Sequence, residues 1–379
     1  MPRVAIIGCG KMAEQHAINV QTIPGYEIVA VCDNEILMAE QLSDHFRIPQ
    51  FFDDARELLH KTRPDIVHIT TPPQSHHQLG ILALEAGCHT FIEKPFTVTA
   101  AQADELVQLA TERRLKLTVG HNAQFTPAAI RARHLVQNNF LGGDPVHAES
   151  IFCYDLAGPT FAKEFLGNRE HWIHRLPGKL LHNIISHGIG QLVEYLSGDA
   201  VHVTAVGFTS EYLMSKGEDG ITDELRVILR DERSMTGYFT FSSQLSPKLH
   251  QLRLFGKQNG LIVDDDHQSV IRLNGAGYRS YLNQFVPPIE FAAQNLRNAV
   301  NNLVNFLRND LHSDSGTRVL IESFYQAIRC DGPVPISHRE IVLTARIMDE
   351  IFEQLRNARP SDLRDRTSAA GSKPAVSFA

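Results

Sequence analysis

No apolar run in the chain approaches the roughly 18 residues that a membrane-spanning helix needs, so a soluble protein is expected. The N-terminal apolar segment is only four residues long and ends in a glycine turn, which argues against a signal peptide and leaves a cytoplasmic location as the expectation. Cysteine pairing is missing as well. Cys9, Cys32, Cys88, Cys153 and Cys330 are scattered, odd in number and form no C-x-x-C, which argues against a disulfide framework and a zinc knuckle. The formal charge of -7 comes without a basic cluster, so neither nucleic acid nor an anionic membrane is an expected partner, and a small molecule is. Internal repeats are absent. What is present is 379 residues, 43% hydrophobic and 21% charged, ordinary globular values at a length that suits two domains.

The first of these is announced within thirteen residues. Val4-Ala-Ile-Ile7 reads as a buried strand, and Gly8-x-Gly10-x-x-Ala13 as a tight turn that opens a helix. Gly8 would permit the turn, Gly10 would let backbone N–H groups approach a pyrophosphate, and Ala13 is small enough for close helix–sheet packing. Ala13, Ala17 and Val20 recur at helical spacing, which supplies the context the motif requires. Glu27–Asp33 is a second apolar strand, and its terminal acid falls 23 residues after Gly10, where a carboxylate can bind both ribose hydroxyls of NAD and repel the 2′-phosphate of NADP. The bland alternative is an Asp that caps the next helix. Strand Asp65–Thr70 runs into Thr70-Thr-Pro72-Pro-Gln-Ser-His76, a proline-stiffened loop in which His76 either caps the following helix or touches cofactor. Strand His89–Ile92 delivers Glu93-Lys94-Pro95, where Lys94 is either a desolvated acid or donor in the crevice or a surface lysine. Lys116–Val119 is the last strand before Gly120-His121-Asn122, and the alternation to this point predicts a parallel, doubly wound sheet over 1–122.

From Val146 the pattern changes to closely spaced strands: Val146–Tyr154, Val201–Phe208, Glu224–Arg230, Met235–Phe241, His250–Phe255 and Leu261–Val263. They predict a mostly antiparallel sheet within a second, α+β domain over 123–356, with helices near Ile289–Arg308, Gly316–Arg329 and Ser337–Leu355 on one face and a second subunit on the other. Residues 357–379 read as a disordered tail. Between the strands, Leu176–Leu196 reads as one helix with a divided face, Ile185, Ile189, Leu192 and Leu196 opposite Asn183, His187, Gln191 and Glu194. The polar side is either a solvated stripe or a site in which His187 exchanges a proton near neutral pH. His171, His174, His182 and His187 invite a metal reading, but His182 and His187 diverge by about 140° on a helix, so no metal site is expected. Asp264–Asp266 reads as a strand-ending turn, and Arg169, Arg175 and Lys179 as surface cations or a receptor for an anionic substrate group.

These motifs, in this order, resemble the Gfo/Idh/MocA family of nicotinamide-dependent oxidoreductases over nearly the whole chain except the tail. The residues that carry the resemblance are Gly8-x-Gly10-x-x-Ala13, Thr70-x-Pro72-x-x-x-His76, Glu93-Lys94-Pro95, Val119-Gly120-x-Asn122, and Asn183 with His187. The resemblance implies a Rossmann domain followed by an open-faced sheet used to form a homodimer or homotetramer. It also implies oxidation of a sugar or polyol hydroxyl, with Lys94, His187 and Asn183 at the substrate. It places Gly8, Gly10, Lys11, Met12, Ala13, Asp33, Thr70, Pro72, His76, Glu93, Lys94 and Asn122 around NAD, with NADP the lesser choice. The chain departs from the pattern at Asn183, where many members carry Asp, and at Gln124, where many carry Arg. The same resemblance also covers glycosidases that act through transient oxidation by bound NAD, to whose pattern His187-Gly-Ile-Gly190 is similar, and regulators without turnover.

Overall fold

The structure, a computed structural model, describes residues 1–156, 166–308 and 315–358. The expected tail lies outside the described residues from 359 onward. The first unit alternates β1 (Arg3–Ile7), α1 (Lys11–Thr22), β2 (Glu27–Cys32), α2 (Ile36–Phe46), β3 (Phe51–Phe52), α3 (Ala55–Thr62), β4 (Ile66–Ile69), α4 (His76–Glu85), β5 (His89–Ile92), α5 (Ala100–Glu112) and β6 (Leu117–Val119). Its six strands are all parallel in the order β3-β2-β1-β4-β5-β6. A parallel sheet covered by helices on both faces needs strands that are apolar on both sides, as the wholly buried Val4–Ile7 and Ile66–Ile69 are. The order reverses between β1 and β4, and the crevice that this opens at the carboxyl ends of the strands is where an α/β sheet binds ligands.

After α6 (Pro127–Gln137) the chain forms β7 (His147–Cys153), α7 (Lys179–Ile184), α8 (Ser186–Val193), β8 (Val201–Phe208), α9 (Glu211–Ser215), β9 (Glu224–Asp231), β10 (Thr236–Ser242), β11 (His250–Phe255), β12 (Asn259–Asp264) and β13 (Ser269–Asn274). The second sheet has the order β13-β12-β11-β7-β10-β9-β8 and is antiparallel except for the parallel pair β7 and β10. Sequence reading misses β13, a six-residue edge strand in which only Val270 is buried, whose alternation is too short and too exposed to stand out. Three helices close the described chain: α10 (Leu282–Leu307), α11 (Ser315–Arg329) and α12 (His338–Asn357). Helix α10 begins seven residues before the expected start and carries Pro287 and Pro288 inside it. Those prolines withdraw donors only from the carbonyls of its first turn, which are exposed to water, so the helix tolerates them. Helix α12 opens with the expected capping box, Ser337 and Glu340 each accepting the other's backbone N–H.

Two buried clusters result, one under each sheet, but they do not follow the chain in simple halves. Leu320, Ile321, Phe324 and Tyr325 of α11 and Ile341 and Val342 of α12 belong to the core of the first sheet. The C-terminal helices therefore return to the nucleotide-type unit and tie the two units together. The second sheet leaves one face open, where Val206, Ile228 and Tyr238 stand exposed on adjacent strands. All five cysteines are free, four of them buried and Cys330 exposed. Among the described residues, no helix is long and apolar enough to cross a membrane.

The Asp264–Asp266 segment is the turn between β12 and β13, and its three acids have separate duties. Asp264 accepts the His267 N–H, Asp266 accepts the His250 N–H, and Asp265 turns inward to accept Gln191 Nε2 at 2.8 Å and the Thr126 hydroxyl at 3.1 Å. Burial pushes the Asp265 carboxyl up to about 6 despite these two donors. Between its unfolded value of 3.8 and about 6 the native chain holds the extra proton, so this group makes stability fall as pH rises through that window. Asp265→Asn should therefore gain melting temperature relative to the parent as pH rises from 4 to 7. Parallel melting curves for the two proteins across that range, followed by circular dichroism, would contradict the assignment.

Candidate active site

The glycine turn is held from three sides. Gly8 has φ +96°, a left-handed conformation suited to glycine, and a Cβ there would lie 2.7 Å from the Thr71 backbone nitrogen. The Thr70 hydroxyl at the end of β4 donates to Gly8 O at 2.6 Å, and the Cys9 N–H donates to Asp33 Oδ2 at 2.7 Å. Gly10, by contrast, faces open space, and as N-cap of α1 it offers no side-chain acceptor to the first-turn N–H groups. That is an anion cradle: uncapped donors at the positive end of a helix, with no Cβ in the way. Ala13 is fully buried against the sheet, Met12 is half-buried and Lys11 is exposed. Beside the turn lies a cleft of about 590 Å³ lined by Gly8, Asp33, Asn34, Pro72, Trp172 and Arg175 among others. Asp33 lines this cleft; its Oδ2 accepts the Cys9 N–H and its Oδ1 the Glu35 N–H at 3.0 Å, while the N-cap of α2 is Glu35 itself. The residues present thus fit a dinucleotide.

Three of the residues expected around the cofactor are committed elsewhere. His76 neither caps α4 nor faces the crevice: its ring is 0% exposed, with Nδ1 3.0 Å from Pro95 O and Nε2 2.8 Å from Thr71 O. It fastens the loop after β4 to the loop after β5. Asn122 directs its amide to the Thr317 hydroxyl at 2.9 Å, towards α11. Glu93 is buried behind the crevice, where Oε1 meets His16 Nε2 at 3.0 Å and Oε2 accepts the Lys94 N–H at 3.1 Å.

Lys94, at the end of β5, is half-buried, so the surface-lysine reading is set aside. Its ammonium donates to Asn183 O at 3.1 Å and reaches Asn183 Oδ1 at 3.5 Å, which joins the two units at the site. The expected single helix is two, α7 and α8, meeting at Ile185, and its polar side is not solvated. Asn183 and Gln191 are buried, Glu194 pairs with Arg133, and His187 is partly exposed with its Nδ1 buried and without a hydrogen-bond partner. Gln124, at the position where the resemblance led to an Arg, is also buried and donates to Gly190 O at 3.2 Å.

His121, after β6, is a member of the site that sequence reading did not assign. Its ring centroid lies 6.1 Å from that of His187, its Nε2 is buried and unpartnered, and burial pushes it down to about 4. The signal was its place at a strand end beside Gly120. Burial, then the charges of Lys94, His121 and His250, hold His187 well below the ordinary imidazole range. Phe152 of β7 lies nearly parallel to the His187 ring at 6.1 Å. At neutral pH the site therefore offers two unprotonated imidazoles close to an ammonium that burial also depresses.

The remaining candidates are dispersed. His182 stacks on Phe352 at 5.0 Å, Lys179 donates to Gly220 O at 2.6 Å, and Arg175 lines the dinucleotide cleft. Among the described residues no group of three or more His, Cys, Asp or Glu is gathered to hold a metal ion.

Comparison with known proteins agrees with this geometry. The Gfo/Idh/MocA family model, described as an oxidoreductase family with an NAD-binding Rossmann fold, matches residues 2–121. The D-glucoside 3-dehydrogenase of Escherichia coli (strain K12) is 35% identical over 141 residues, which cover 37% of this chain and 40% of that protein. A glycosyl hydrolase family 109 protein of Phocaeicola vulgatus is 26% identical over 223 residues, 56% of this chain and 52% of the relative. The chain thus aligns with roughly half or less of the length of these relatives. The solved structure of a levoglucosan dehydrogenase in complex with NADH and levoglucosan shares the fold over 94% of this chain and 97% of its own, with TM-score 0.74 and 18% identity. Residues 2–121 thus match the Gfo/Idh/MocA oxidoreductase family model with its NAD-binding Rossmann fold, and the likeness in fold to the levoglucosan dehydrogenase runs over nearly the whole chain.

Proposed function

We propose that the chain is an NAD-dependent oxidoreductase that acts on a hydroxyl-bearing carbon of a sugar, polyol or sugar derivative in the cytoplasm, with the division between cofactor and substrate parts near residue 122. The observation that carries this reading is the junction of Lys94, at the carboxyl end of β5, with Asn183, and the charge interaction of that ammonium with His187. Bound NAD supplies the two-electron acceptor for oxidation of the carbinol carbon. His187, unprotonated at neutral pH, takes the hydroxyl proton. Lys94 donates a hydrogen bond to the same oxygen and stabilises the negative charge that develops there. Asn183 fixes the direction of the ammonium through both of its oxygens, a task for which an amide suffices where other members carry a carboxylate. Asp33 favours a ribose with free hydroxyls over a 2′-phosphate, which selects NAD. The alignment with a glycosyl hydrolase family 109 protein favours a second reading, glycoside cleavage through transient oxidation by the same groups.

Assembly through the open face of the second sheet is part of the proposal. Val206, Ile228 and Tyr238 form an apolar row of the kind that subunits cover. Light scattering should give a dimer or tetramer, and Ile228→Glu together with Tyr238→Glu should reduce it to smaller species. A wild-type monomer would refute this.

Lys94→Ala and His187→Ala should each lower kcat by about 100-fold or more in an NADH absorbance assay over a sugar panel, with NAD affinity by calorimetry close to the parent's. Retained turnover in both would end the assignment. Because His187 lies below the usual imidazole range, the rate of oxidation should hold as pH falls to 6.5 and decline only below it. Release of aglycone without net NADH would favour the glycosidase reading.

A further inference from the structure

The proposed chemistry uses Lys94 but gives no part to a row of polar groups buried behind it. Glu93 Oε1 lies 3.0 Å from His16 Nε2, His16 Nδ1 lies 2.7 Å from His68 Nδ1, and His68 Nε2 lies 2.8 Å from the Tyr325 hydroxyl. His16 and His68 are 0% exposed and Tyr325 1%. The four residues come from the end of β5, from α1, from β4 and from α11, so both ends of the chain contribute.

The hydrogens can be assigned from the ends of the row. A carboxylate only accepts, so His16 Nε2 donates to Glu93. The facing Nδ1 atoms, 2.7 Å apart, share one hydrogen. If His16 carried it, His68 would have to donate from Nε2 to the tyrosine oxygen, and the Tyr325 hydrogen would have no acceptor among the described residues. If His68 carries it, Tyr325 O–H donates to His68, His68 Nδ1–H to His16, and His16 Nε2–H to Glu93, and every polar atom is satisfied. Burial holds His68 far below the ordinary imidazole value, which agrees with a neutral ring. All three donors point the same way, and each bond polarises the next towards Glu93.

We infer that His16, backed by His68 and Tyr325, is a positioning residue of the reaction centre that holds the Glu93 carboxylate in place as the counter-charge of Lys94. The inference rests on the assignment of Lys94 to the substrate hydroxyl. Glu93 has little room to move: Oε2 accepts the Lys94 N–H, and a Cβ on Gly120 would come within 2.6 Å of Oε1. The other titratable groups whose charge interacts with Glu93 are His76 and His121. Facing Lys94 are Glu93, His121 and His187, with the two oxygens of Asn183. Burial lowers the Lys94 ammonium and the Glu93 charge works against that, so a loosened Glu93 releases Lys94 to lose its proton at lower pH. Since His16 sits on α1, the same bond ties the helix of the anion cradle to the lysine.

The test reads Lys94 directly, without turnover. The full-length protein is acylated with trace acetic anhydride across a pH series, and the extent at Lys94 is followed by peptide mass spectrometry. In His16→Leu the Lys94 midpoint should fall by about 1 pH unit from the parent value. His16→Gln, which keeps a donor and an acceptor, should restore it, and Tyr325→Phe, which removes only the first donor, should lower it partway. A Lys94 midpoint unchanged in folded His16→Leu would overturn the inference, and should that variant fail to fold, an unchanged midpoint in Tyr325→Phe would do so. A wild-type protein that oxidises no sugar while the Lys94 midpoint still shifts would overturn the proposed function and leave the row intact.

Discussion

The reversal of strand order between β1 and β4 is the constraint on which the rest of the molecule depends. Because all six strands are parallel, their carboxyl ends meet at one edge, and the two helices that follow β1 and β4 leave in opposite directions and open a crevice there. The residues that this unit contributes to the site lie one or two positions after its strands. Gly8 follows β1, Asp33 follows β2, Thr70 follows β4, Lys94 follows β5 and His121 follows β6. A side chain placed at a strand end is held by a hydrogen-bonded sheet on one side and remains free on the other. Positions so built are rigid without being sealed.

Burial of charge is the second constraint. Lys94 and Glu93 are adjacent in sequence, and both lie where water is scarce, an arrangement that is unfavourable unless each charge has partners. Lys94 finds its partners in Asn183 of the other unit, and Glu93 in His16 and in the Lys94 backbone. The lysine thus depends on the second unit for its direction and on the first for its charge. His121 and His187 are kept neutral by the same dryness, which makes them proton acceptors at a pH where an exposed histidine would be partly charged.

The second sheet contributes to the site mostly by what it carries. Phe152 of β7 stands beside His187, and Gln191 runs back to Asp265 at the β12–β13 turn, so the broken helix α7–α8 is pinned to the sheet from below. Asn183, in α7, is buried against Lys94, while His187, in α8, is partly exposed. The returning helices α11 and α12 complete the arrangement by filling the core of the first sheet, so the two units are not independent bodies joined by a hinge of chain.

Short-range chemistry was legible from the residues alone. A strand, a turn of φ near +96° that suits glycine and a helix start lie within ten residues of one another at Val4–Ala13, so local sterics and capping determine them. The acid after β2, the lysine after β5 and the capping box before α12 follow from the same kind of local rule. What only the tertiary structure decided is who meets whom across long stretches of chain. His76 was open to two local readings, and the packing of two loops gave it a third, fastening Thr71 to Pro95. His121 and Glu93 looked like companions of a motif until burial set the protonation of one and the partners of the other. The meeting of His68 with Tyr325, 257 residues apart, has no periodicity or spacing to announce it. It exists because α11 comes back to cover the sheet, and a polar group buried by that return must find its hydrogen bond among whatever the fold has brought there.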